Sequence, residues 1–144
     1  MIAIDTNVLL RYLLNDHEEQ SGIAAALILG NSQVLITDVV LAETVWTLRG
    51  KKYKVDVSGI AMALNYLFSE SSIVFEDDEV IWRALVDYVD ANEVDTPTQR
   101  KHVDFADALI INKARMLATD SNEPFGGLHT FDLAASSLPG ASRL

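Results

Sequence analysis

The chain has no cysteine, which removes disulfides and thiolate metal sites and suits a reducing cytoplasm. It has three histidines, scattered at His17, His102 and His129, so no His pair stands at the spacing of a zinc site. No apolar run is long enough to span a bilayer: Ile23-Ala24-Ala25-Ala26-Leu27-Ile28-Leu29 is too short. The N-terminus lacks a basic region and a small-residue cleavage site, so no signal peptide is read there. Positive charge is scarce. Eleven Lys and Arg face twenty-one Asp and Glu, a net charge of −10, which is the opposite of a broad basic nucleic-acid surface. If this chain handles nucleic acid, bound divalent cations, a local basic strip or a basic partner must offset that charge. Repeats, low-complexity segments and linkers are also missing, so 144 residues read as one domain, 1–144.

What is there is an apolar chain, 49% hydrophobic, enough for a sizeable core. Met1-Ile2-Ala3-Ile4 reads as a buried strand that ends in Asp5, and a helical pattern follows from Val8. Asp16-x-x-Glu19 has the spacing of a capping box for a second helix that stops at Gly30. Val34-Leu35-Ile36-Thr37 is a second strand. Asp38 can cap a third helix ending at Gly50, and Asp56 or Ser58 can open a fourth. Ile73-Val74-Phe75 is a third strand, and Asp77-Asp78-Glu79 leads into a fifth helix. Asn92 to His102 reads as a polar loop. Asp104 to Thr119 is helical, apolar nearly all round and therefore expected to be buried. Leu128-His129-Thr130-Phe131 is a fourth strand ending in Asp132, and an edge strand is expected near Ser142-Arg143-Leu144. Strands separated by helices predict an α/β fold with parallel pairing and helices on both faces of one central sheet.

Ligands of open α/β sheets bind beyond the carboxyl ends of the strands. Asp5 and Asp132 each follow a strand. Glu43 lies about one turn into the helix after the second strand. Asp104 and Asp107, three apart, share one face of the most apolar helix. Carboxylates gathered in one cleft repel and protonate unless a cation is present. Hard oxygen ligands suit Mg²⁺ or Mn²⁺, which can activate a water in phosphodiester cleavage.

Asp5-Thr6-Asn7, Glu43 in Leu41-Ala42-Glu43-Thr44-Val45, Asp107 in Asp104-Phe105-Ala106-Asp107-Ala108-Leu109-Ile110, and Thr130-Phe131-Asp132 together resemble a PIN domain, and more narrowly the VapC-type toxins of toxin–antitoxin pairs. The resemblance spans nearly the whole chain. It implies a three-layer α/β/α sandwich with a parallel sheet of four to five strands, and a Mg²⁺- or Mn²⁺-dependent ribonuclease. It also implies a homodimer and a VapB-like antitoxin that inserts an arginine-bearing segment into the acidic site. By the same resemblance Asp5, Glu43, Asp107 and Asp132 are the catalytic and metal-binding quartet, and Asp104 is an additional acid, either ligand or helix cap. Asn7 helps to hold Asp5, and Thr130 is the hydroxyl before the last acid. The chain departs from the pattern after Asp132, where Leu133-Ala134-Ala135-Ser136 stands in place of an early aromatic residue. Asp120 is the rival for the fourth acid.

Other acids read as structural: Asp38, Asp77, Asp78 and Glu79 sit at helix starts, where carboxylates offset the macrodipole. Trp46 and Trp82 read as core. Arg49-Gly50-Lys51-Lys52-Tyr53-Lys54 is the one dense basic run. It serves either as cations at a helix C-terminus or, through Lys51, Lys52 and the Tyr53 ring, as an RNA contact. Arg100 and Lys101, just ahead of Asp104, are a second RNA-contact candidate. Two rivals stand beside the nuclease reading. One is a non-catalytic PIN scaffold that binds RNA or a protein. The other is a phosphohydrolase of another acidic α/β family, which commonly carries DxD where this chain has Asp5-Thr6-Asn7.

Overall fold

The computed structural model describes residues 1–144, arranged as two compact units, Met1–Asp78 and Glu79–Leu144. The first unit is built on a parallel three-stranded sheet of β1 (Ile2–Ala3), β2 (Val34–Ile36) and β3 (Ile73–Phe75), in the order β1-β2-β3. Ile2 pairs with Val34, and Val34 with Ile73. Val34 and Ile36 are fully buried, as expected of a central strand covered by helices.

Helices α1 (Thr6–Leu14), α2 (Gln20–Leu29), α3 (Asp38–Arg49) and α4 (Val57–Ser69) connect these strands. Each helix start has a local cause. Asp5 accepts a hydrogen bond from Val8 N–H, Thr37 from Val40 N–H, and Asp56 from Gly59 N–H, so three short polar residues satisfy N–H groups that the helices leave open. Thr37 rather than Asp38 caps α3, and Asp38 becomes its first residue. The Asp16-x-x-Glu19 capping box does not form. The Asp16 carboxylate is taken by Arg11 at 2.8 Å, and His17 Nδ1 accepts the Gln20 N–H in its place.

The second unit contains α5 (Asp78–Asp90, entered from the end of the first unit), α6 (Phe105–Asp120) and two small ladders. The stretch read as a loop is a hairpin: β4 (Val94–Asp95) pairs antiparallel with β5 (Arg100–Lys101). Its turn is closed by Thr96, whose N–H bonds the Gln99 carbonyl at 2.9 Å and whose Oγ1 accepts the Gln99 N–H at 3.1 Å. Two-residue strands carry no alternation signal, which is why the polar composition reads as a loop. β6 (Leu128–Thr130) and β7 (Ala141–Arg143) pair in parallel, so the expected C-terminal strand is present. Gly127, at φ +100°, enters β6, and a Cβ there would stand 2.8 Å from the Gly140 carbonyl oxygen, so only glycine fits.

The α/β class and parallel pairing agree with the sequence reading. The expected single sheet of four to five strands does not: hydrogen bonds join three strands in one ladder and two in each of two others. The tryptophans also differ. The buried positions of α3 are Leu41, Thr44, Val45 and Leu48, a helical stripe that leaves Trp46 on the opposite face, 75% exposed. Trp82 is 49% exposed for the same reason. Helix α6 is buried along Phe105, Ala108, Leu109 and Ile111, while Ile110 and Leu117 lie half open to solvent. Asn112, buried in that stripe, donates to the Asp87 carboxylate at 2.8 Å and to the Ala108 carbonyl, so its burial carries no unpaired amide. No helix is long and apolar enough to cross a membrane.

Candidate active site

In the first unit the strand ends share one edge because the pairing is parallel. Asp5 leaves β1 there, and its Oδ1 accepts the Val8 N–H at 2.9 Å. This carboxylate therefore sits at the positive end of α1, exposed. Thr6, next to it, donates from Oγ1 to Glu43 Oε2 at 2.6 Å. Glu43 is exposed, one residue off the buried stripe of α3. A threonine in the first turn of α1 thus brings Glu43 to the helix end capped by Asp5, across 37 residues of sequence. Nothing in the sequence reading singles out Thr6. The signal available is its place between two residues that are singled out.

Glu76 is a second residue that the motif reading misses. It follows β3 directly, as Asp5 nearly follows β1, and its carboxylate accepts the Asp38 N–H at the start of α3. Asn7 lines a cleft of about 240 Å³ together with Asp5, Val8, Arg11, Ile23 and Leu27. The hydrogen bond that orients Asp5 comes from the backbone of Val8.

The second unit gathers three acids around one cation. Lys101 Nζ lies 2.7 Å from Asp132 Oδ2 and 3.5 Å from Asp104 Oδ2. Asp132 is oriented from both sides. Its Oδ1 accepts the Ala135 N–H at 2.8 Å, and its own N–H bonds Thr130 Oγ1 at 3.0 Å. The hydrogen bond from Lys101, with that from Ala135, holds the Asp132 carboxyl below its ordinary pKa, and the same bond to Asp132 raises Lys101. Asp107 is half-buried in the first turn of α6, and burial pushes its carboxyl up. The charges of Asp104 and Asp132 push the same way, with Lys101 opposing. Asp104 occupies the cap position of α6 but makes no side-chain cap hydrogen bond, so its carboxylate is not spent on the helix. Asp120 ends the same helix, exposed, and no strand leads into it.

The basic candidates divide. Arg100 faces Asp95 at 3.3 Å and Glu93 at 3.7 Å within its own hairpin, and Lys101 is turned to the acids. Lys51 and Lys52 are exposed in the turn after α3, with Lys52 Nζ 5.1 Å from the centre of the Tyr53 ring.

The donor set is all carboxylate, chemically suited to Mg²⁺ or Mn²⁺. As arranged, no group of three or more His, Cys, Asp or Glu side chains is close enough to hold a metal ion. In the second unit the ammonium of Lys101 lies where a cation would meet Asp104 and Asp132. The residues therefore fit a divalent ion by type and by negative charge, with one built-in cation as a competitor.

Residues 2–121 match the model of the PIN domain family. The match includes Asp5, Glu43, Asp104 and Asp107 and stops short of Asp132. No curated protein matches the chain. Among solved structures the chain is similar to VapC20 of Mycobacterium tuberculosis, described as a sarcin–ricin loop cleaving toxin. Identity is 14% and the TM-score 0.40, over 97% of this chain and 98% of that one. It is also similar to VapBC2 from Rickettsia felis, bound to a DNA fragment from its promoter. There the identity is 16% and the TM-score 0.35, over 100% of this chain and 98% of that one.

Proposed function

We propose, from the premise that this chain belongs to the PIN domain family, that it is a Mg²⁺- or Mn²⁺-dependent endoribonuclease and the toxin of a VapBC-type pair. The observation that carries the reading is that the acids of the motif are held by partners that leave carboxylate oxygens exposed. Glu43 is held by Thr6, and Asp5 by one backbone N–H. Asp5 and Glu43 from the first unit, with Asp107 and Asp132 from the second, would hold the ion, and Asp104 would add an outer acid. A divalent ion bound there supplies an activated water and stabilises the leaving oxygen of a phosphodiester.

The chain's own residues do the rest. Val8 N–H and the α1 terminus aim Asp5. Thr6 limits the swing of Glu43. Thr130 and Ala135 fix Asp132. Asp107, with its carboxyl raised by burial and by like charges, gains more than an exposed acid from a cation beside it. Single-stranded or loop RNA is the substrate class, because its backbone and bases are accessible. Lys51 and Lys52 would meet phosphate, with Tyr53 as a stacking surface. Arg100 is committed to Glu93 and Asp95, and we give it no substrate role. The partner is an antitoxin whose basic segment complements a chain of net charge −10, and the toxin is a homodimer.

Purified protein stripped of metal and of antitoxin should cleave RNA on addition of Mn²⁺ or Mg²⁺, and Asp5→Asn and Asp107→Asn should each abolish cleavage. Absence of cleavage, with no carboxylate-dependent heat on metal titration, would leave a non-catalytic PIN scaffold. A phospho-aspartate trapped at Asp5 would favour a phosphohydrolase.

A further inference from the structure

The acidic set of the second unit contains its own cation. Asp104, Asp107 and Asp132 carry like charges, and the one ammonium among them is Lys101, 2.7 Å from Asp132 and 3.5 Å from Asp104. It is no free surface lysine. Its backbone lies in β5, paired with Val94 of β4. The next residue, His102, packs edge-on against Tyr88 with ring centroids 5.0 Å apart, and its Nε2 is 2.7 Å from the Tyr88 carbonyl oxygen. Val103 beyond it is buried. The hairpin thus ends in an anchor, and the side chain just before that anchor reaches the acids. Arg100, one residue earlier, pairs instead with Glu93 and Asp95, as the alternation of a strand requires.

Both oxygens of Asp132 are engaged: Oδ1 by the Ala135 N–H and Oδ2 by Lys101. A divalent ion that approached Oδ2 would meet a positive charge at hydrogen-bond distance. We propose that Lys101 is a tethered counter-ion that holds these acids together in the metal-free protein and must release Asp132 before a divalent cation can take it. Lys101 thereby sets the cation concentration at which the site loads. This inference rests on the metal-site reading given above.

Calorimetric titration of metal-stripped protein with Mn²⁺ tests it, alongside thermal unfolding in a chelator. Lys101→Met and Lys101→Gln should bind Mn²⁺ about 5-fold tighter than the parent, the scale of a partly exposed ion pair. Both should unfold at lower temperature in the chelator and gain more from saturating Mn²⁺. Arg100→Met removes the same unit charge one residue away and should leave the affinity within about twofold. If Lys101→Met fails to fold, Lys101→Gln gives the same reading. Mn²⁺ binding that is lost in Asp107→Asn but unchanged or weaker in the Lys101 variants overturns the counter-ion alone. Equal tightening in Arg100→Met also overturns it, because the effect would then be general charge. Absence of binding in the parent and in every variant removes the metal site and the counter-ion together.

Discussion

Thr6 Oγ1 and Glu43 Oε2 are 2.6 Å apart, a hydrogen bond that ties the first turn of α1 to the middle of α3. It places the acid of one helix at the end of another whose cap is also an acid. The bond is exposed, so its weight in stability is small and its weight in geometry is large. Thr6→Val should cost at most about 1 kcal/mol in urea unfolding. Cleavage by the proposed nuclease should fall at least tenfold, on the order of what a displaced catalytic group costs. A variant with full activity would mean that Glu43 needs no holding.

Asp5 has two jobs that different substitutions separate. As the cap of α1 it serves the fold, and Asp5→Ala should cost about 1 kcal/mol. Asn is as good a cap, so Asp5→Asn should unfold like the parent. In the proposed function Asn is a poor metal ligand, so Asp5→Asn should lose Mn²⁺ binding while keeping its stability. Equal stability loss in both variants would contradict the capping role.

Asp107 should trade stability for charge. Its folded carboxyl is raised above the ordinary value, first by burial, then by Asp104 and Asp132. A raised acid opposes folding once pH exceeds its folded pKa, and the cost disappears as pH falls to the unfolded value of about 4. Asp107→Asn should therefore be more stable than the parent at pH 7 in a chelator, with the gain lost by about pH 4. Urea unfolding at the two pH values checks the sign.

The Lys101–Asp132 pair titrates the other way. Asp132 is lowered by its hydrogen bond to Lys101, so its contribution is present above the unfolded carboxylate pKa and is lost as pH falls through the lowered folded value. Asp132→Asn should destabilise the metal-free protein at pH 7 and converge with the parent in strong acid. Both residues are about a third exposed, so solvent holds the effect to about 1 kcal/mol or less.

Trp46 offers a test of the fold. With 75% of its surface open, Trp46→Ala should change stability by no more than about 0.5 kcal/mol. Leu41→Ala, on the buried stripe of the same helix, should cost about 2–5 kcal/mol. If Trp46→Ala costs as much as Leu41→Ala, the helix is rotated from its described setting.

Much of this was legible in the residues because it is local. Apolar periodicity marks the helices, short apolar runs mark β2 and β3, and Asp56 announces its helix because a cap bonds an N–H three residues away. The acids of the motif stand at strand ends and first turns, which neighbouring residues establish. What lay beyond the one-dimensional pattern is the partner of each acid. Thr6 finds Glu43 across 37 residues, and Lys101 finds Asp132 across 31. The β4–β5 hairpin is too short to show a period, and the choice of which helix face meets water put Trp46 outside. Caps and periods arise from contacts a few residues apart. Salt bridges, exposed faces and ladders arise only when distant segments pack, and that packing gave the acidic set of the second unit its own lysine.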